Sequence, residues 1–102
     1  MKVYDLLDKQ GRVFAFEVNK LMLSRRRLSA IVSRIPRVRM IRTPGLSSAV
    51  DEFCEFEIDG QRFVAWEPWG DSSRYWIGPK SKEWCPQVGI VRDFFASHKR
   101  FF

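Results

Sequence analysis

The ten residues Glu67-Pro68-Trp69-Gly70-Asp71-Ser72-Ser73-Arg74-Tyr75-Trp76 concentrate the side chains best suited to chemistry: two carboxylates, two hydroxyls besides the phenol, a guanidinium and three large aromatic rings. Loops commonly carry binding residues. Glu67 and Asp71 have the types needed for an acid and a base, with Arg74 to orient a polar ligand, which is the small-molecule or enzymatic reading. Trp66, Trp69, Asp71, Arg74, Tyr75 and Trp76 together make a partner-contact set, because Trp and Tyr combine large area with a polar handle. A plainer reading gives Asp71 the backbone amides of its own turn and uses the aromatics to close a small core.

The second chemical feature is cationic. Lys20 to Arg42 holds eight Lys and Arg residues and no acid. Arg25, Arg26, Arg27, Arg34, Arg37, Arg39 and Arg42 could form a basic surface that neutralises phosphates or steers an acidic protein. The competing explanation is internal pairing, since eight carboxylates lie between Asp51 and Glu83 and Arg stems readily cover apolar surface. No RNA-recognition aromatic signature, Gly-x-x-Gly loop or zinc-finger spacing accompanies the arginines.

Other catalytic groups stand alone. Cys85 precedes Pro86 at an expected helix start, where a helix dipole favours thiolate. The single histidine, His98, falls near a helix end on an apolar stripe, so packing or a terminal charge explains it more simply than a nucleophile relay. Cys54 and Cys85 are too few for a disulfide framework and lack metal-ligand spacing. Free thiols, no metal and no cofactor are expected, and a non-enzymatic protein is favoured.

A chain of 102 residues with 45% hydrophobic and 29% charged residues suits a single folded domain. Its net charge of +6 is uneven: residues 1–50 hold eleven cations against three acids, and residues 51–102 seven against nine. Neither a signal-like apolar segment at the start nor an apolar run long enough to span a bilayer occurs, so a cytoplasmic location with no membrane partner is expected.

The elements that position these residues are organised around the stretch Glu52 to Glu67. Its two apolar-rich alternating runs meet at Asp59-Gly60, a pair suited to a type I′ hairpin. With those two residues as the loop, Ile58 faces Gln61, Glu57 faces Arg62, Phe56 faces Phe63, Cys54 faces Ala65 and Phe53 faces Trp66. Cys54, Phe56, Ile58, Phe63 and Ala65 then share one apolar face. Phe53, Glu55, Glu57, Arg62, Val64 and Trp66 share the other.

Around this hairpin, Lys2–Leu7 and Arg12–Val18 read as an earlier hairpin about Asp8-Lys9-Gln10-Gly11, with Phe14, Phe16 and Val18 inward. A helix follows Ser24 as N-cap, placing Leu21, Leu28, Ile31, Val32 and Ile35 in one stripe until Pro36 stops it. Arg37–Thr43 reads as a strand with Val38 and Met40 on one face, and Pro44–Ser48 as a loop. Arg74–Ile77 is a short last strand before Gly78-Pro79. After a polar connector at Lys80–Trp84, Pro86 opens a terminal helix with Val88, Val91, Phe95 and His98 on one stripe, ending at Lys99-Arg100.

The resulting order, β-β-α-β-β-β-β-α, predicts an α+β domain: an antiparallel sheet of five to six strands with two amphipathic helices on one face. Phe53, Val64 and Trp66 would be left on the other face, as a patch for the Trp69 loop, the first hairpin or a second copy of the chain. Function is expected to be protein binding or self-association through the aromatic loop, with nucleic-acid binding through Arg25 to Arg42 as the alternative.

Overall fold

The structure is a computed structural model that describes residues 1–44, 52–68 and 73–99. Six strands, β1 (Tyr4–Leu7), β2 (Val13–Asn19), β3 (Val38–Arg42), β4 (Glu52–Ile58), β5 (Gln61–Trp66) and β6 (Arg74–Pro79), form one sheet. Helix α1 (Arg25–Val32) lies between β2 and β3, and α2 (Val88–Ser97) follows β6. The strand order is β1-β2-β6-β5-β4-β3, every pairing antiparallel. The α+β class, strand number and element order are as the sequence predicts.

Local chemistry accounts for most of these elements. Asp59 at φ 50° and Gly60 at φ 81° supply the two left-handed residues that a type I′ turn needs. The pairings Ile58–Gln61, Glu57–Arg62, Phe56–Phe63 and Cys54–Ala65 follow, and the Phe56 and Phe63 rings stack at 5.4 Å. In the first hairpin the Asp8 carboxylate accepts the amides of Gln10 and Arg12, both at 2.9 Å. Ser24 caps α1 by accepting the Arg27 amide at 3.1 Å. The helix stops at Val32, short of Pro36; the Arg34 and Ile35 amides continue as a turn onto Ile31 and Val32, and Arg37 at φ 65° redirects the chain into β3.

Both helices cover the same sheet face. Leu28, Ile31 and Val32 of α1 and Val88, Val91 and Phe95 of α2 join Phe16, Phe56, Ile58, Phe63 and Ile77 in one buried core. The opposite face has a second, smaller cluster of Ala15, Val64 and Trp76, with Leu6, Phe14 and Trp66 packed on it.

Bulges correct two expected side-chain directions. β4 slips one residue against β5 between Glu52 and Cys54, so Trp66 pairs with Glu52 rather than Phe53. Phe53 joins the core beneath the helices, edge-on to Tyr75 at 5.2 Å, instead of the patch with Val64 and Trp66. A second irregularity, where Leu6 pairs with Ala15 and Leu7 with Val13, turns Phe14 to the outer cluster and gives Val13 its place against the main core. Leu21 also departs from its expected stripe: it is 75% exposed, and Leu23 is buried before α1 instead.

β6 extends two residues further than Ile77. Pro79, its last residue, lies beyond the last pairing with β2, so a missing amide is tolerated there. Gly78 is required by close approach: a Cβ would stand 2.7 Å from that of Ala15 and 2.9 Å from the Trp76 ring. Gly78→Ala is expected to lower stability by about 1–3 kcal/mol through overpacking, read as a lower urea midpoint with unchanged slope.

Candidate functional site

The end of the sheet where β2 and β5 finish and β6 begins gathers several of the residues singled out above. Glu67, the first of the two candidate carboxylates, accepts Lys20 Nζ at 2.6 Å and Arg25 Nε at 2.5 Å. Those two cations also cover rings: Lys20 stands over Tyr75 at 5.7 Å and the Arg25 guanidinium over Phe53 at 4.9 Å. The Tyr75 hydroxyl donates to the Leu23 carbonyl at 2.8 Å. The start of α1 is thereby fastened to the ends of β5 and β6.

These contacts decide what Glu67 can do. Hydrogen bonds and charge from Lys20, then Arg25, hold its carboxyl below the usual range against an opposing desolvation. It remains a carboxylate through neutral pH, engaged with two cations, and is poorly suited to donating a proton. Arg74 is likewise engaged, reaching Glu17 Oε1 at 3.4 Å and lying 3.5 Å from the centroid of Tyr4.

The aromatic contact set divides between the sheet faces. Tyr75 is buried in the main core and its hydroxyl is raised in pKa by that burial. Trp76 is buried in the outer cluster, and half-buried Trp66 meets it edge-on at 6.2 Å. The Trp66 indole N–H has no hydrogen-bond partner among the described residues. Trp69 and Asp71 lie outside the described residues, so the pairing of Asp71 with Glu67 or Arg74 is not part of the described site.

The arginines divide too. On the open sheet face Arg39 pairs with Glu57 at 3.0 Å and Arg42 with Glu52 at 3.5 Å, while Arg37 reaches Asp59 at 3.0 Å. Arg62 bridges Glu55 at 2.7 Å and Glu57 at 3.3 Å, and Lys80 adds a second cation to Glu55 at 3.0 Å. Glu55 is 5% exposed, and the Lys80 and Arg62 contacts outweigh its burial to lower its pKa. Of the arginines of α1 and the turn after it, Arg25 is tied to Glu67, Arg27 donates to the Met22 carbonyl at 3.2 Å, and Arg26 and Arg34 are exposed.

Burial raises the pKa of both Cys54 and Cys85, so the position of Cys85 before α2 does not make it a ready thiolate. His98 caps the end of α2, and desolvation lowers its pKa, with the N-terminal amine and Arg34 adding to the effect. Among the described residues no three His, Cys, Asp or Glu side chains gather where they could hold a metal ion, and no helix is long and apolar enough to cross a membrane.

Sequence reasoning missed the Leu21-Met22 turn. Leu21 is 75% and Met22 57% exposed, and Met22 has φ 61°. The Lys20 amide donates to the Ser73 carbonyl at 2.8 Å, which sets this turn beside the start of β6. The available signal was the tripeptide Leu21-Met22-Leu23 immediately before the N-cap, where only one of three apolar side chains found the core.

In the comparisons with known proteins, no family model, no curated protein and no solved structure matches the chain.

Glu67 and Glu55 have folded-state pKa values below their unfolded ones, so the stability they contribute is present above about pH 4.3 and is lost as pH falls through the folded values. Glu67→Gln is expected to cost about 1–2 kcal/mol at pH 7 and to flatten the acid limb of a stability-against-pH curve. Urea titrations from pH 7 to pH 3 check both.

Proposed function

We propose that this chain is a small, non-enzymatic binding protein of the cytoplasm that docks a protein partner at the sheet end formed by Leu21, Met22 and the arginine-rich start of α1. The observation that carries the reading is the exposure of Leu21 and Met22, at 75% and 57%, on a turn whose neighbours are cationic. Apolar side chains kept in water beside Arg27, whose guanidinium reaches the Met22 carbonyl, fit an apolar pocket with an acidic rim. Met, being unbranched and polarizable, suits such a contact.

Trp66 at the end of β5 and Arg74 at the start of β6 stand at the same end of the sheet and belong to the proposed contact region; Trp69 and Asp71 lie outside the described residues. Tyr75 and Trp76 serve as packing, one on each face of β6. Against a nucleic-acid partner stands the engagement of Arg37, Arg39 and Arg42 with carboxylates, because each phosphate contact there would first have to displace an ion pair. Glu67 in its double ion pair weighs against the small-molecule reading.

Pull-down from a lysate of the source cell, with and without nuclease, compares the wild type with Leu21→Ser/Met22→Ser and with Trp69→Ala. A protein captured despite nuclease and lost with the turn variant is expected; titration of that purified protein should show at least about tenfold weaker binding by the variant and slower association at high salt. Capture that the turn variant leaves unchanged, or recovery only of nuclease-sensitive material, overturns the reading. A captured second copy of the chain identifies the partner as itself, checked by light scattering.

A further inference from the structure

An open sheet has two edges, and in this one they are finished differently. β3 closes one side with Arg39 and Arg42, and its ladder with β4 is irregular between Met40 and Arg42. Two copies set edge to edge there would bring arginines together. β1 closes the other side as Tyr4-Asp5-Leu6-Leu7, hydrogen-bonded to β2 alone and free of proline. An edge strand turns alternate backbone N–H and C=O groups away from its sheet, and those of β1 have no hydrogen-bond partner among the described residues. Its one charge, Asp5, is held by Arg92 at 3.0 and 3.2 Å.

Leu7 is the unexplained side chain of this edge. It pairs with Val13, whose side chain packs on the main core, so it belongs to the helix-covered face, yet it is 60% exposed and does not join that core. Val3, just before β1, does pack there. Tyr4 and Leu6 alternate onto the open face, opposite Glu17 and Ala15, and Leu6 packs on the outer cluster.

We infer that β1 pairs antiparallel with β1 of a second copy of the chain, joining two six-stranded sheets edge to edge with Asp5 on the two-fold axis. The segment is self-complementary in that register. Val3 of each copy faces Leu7 of the other on the helix-covered side, Tyr4 faces Leu6 on the open side, and Lys2 comes beside Asp8. A slip of one residue sets Leu7 against Tyr4, from opposite faces, and loses the match. The two Asp5 carboxylates meet at the axis, each already neutralised by the two-pronged Arg92 of its own copy. The pairing uses none of the residues of the Leu21-Met22 turn and stands whether or not that turn binds a protein.

Sedimentation equilibrium of the purified chain, over a concentration series reaching about 1 mM, should show a monomer–dimer equilibrium with a dissociation constant on the order of 100 µM, the weak range that so short a contact implies. Leu7→Lys, at an exposed edge position, should weaken it about tenfold or more. Ile41→Lys on β3 and Leu21→Ser/Met22→Ser should leave it unchanged. Hydrogen exchange at the β1 amides should slow with rising concentration in the wild type and not in Leu7→Lys. Thermal unfolding confirms that each variant is folded. A chain that stays monomeric throughout the series, a dimer that Leu7→Lys leaves at wild-type strength, or one lost with Ile41→Lys instead, overturns the inference.

Discussion

Two short helices placed side by side can bury one face of a six-stranded sheet, and the other face of this sheet has to be made compatible with water by its own side chains. That constraint explains the distribution of charge and aromatics. Across β3, β4 and β5 the open face is a lattice of alternating sign, with Glu55 and Glu57 each shared by more than one cation. Across β5, β6 and β2 it is apolar, and Trp66 and Trp76 lie over Val64, Ala15 and the bare Gly78. Lattice and aromatic lid solve the same problem by different means: one keeps the face polar and paired, the other shields small residues beneath large rings.

The same economy operates at the sheet end. Glu67 joins the last residues of β5 to both sides of the turn that leads into α1. A partly buried carboxylate with two cations costs desolvation, which the paired geometry offsets. The lowered pKa of Glu67 expresses that balance. A carboxylate so placed positions backbone elements; it does not need to perform acid–base chemistry to account for its surroundings.

The legible parts of the fold were those written in short-range code. Asp59-Gly60, the Ser24 cap and the apolar spacing of α1 and α2 each act within a few residues, and the structure contains all of them. Phe53 and Phe14 were misplaced because a bulge inserts one residue into the alternation and reverses every assignment beyond it, with no distinctive local residue to announce it. Leu21 failed for a different reason: helical periodicity was carried back across the N-cap, where the chain is no longer helical. For the site, residue type alone could not separate Arg37, Arg39 and Arg42 from Arg26, since their pairing depends on which strands become neighbours. Tyr75 and Trp76 likewise share a sequence segment but lie on opposite faces of β6.

The division among the arginines bears on what surface remains for recognition. Cations already bonded across β3 and β4 gain little from a new anionic partner, because each new contact exchanges one charge-assisted bond for another. Arg26 carries no such exchange cost, and neither do the exposed apolar side chains of Leu21 and Met22, whose burial removes surface from water outright. In the docking proposed above, the free energy for association is therefore concentrated around the start of α1. The ion pairs of Glu67 keep that start in place, so the proposed contact is presented by a held turn rather than ordered at the moment of binding.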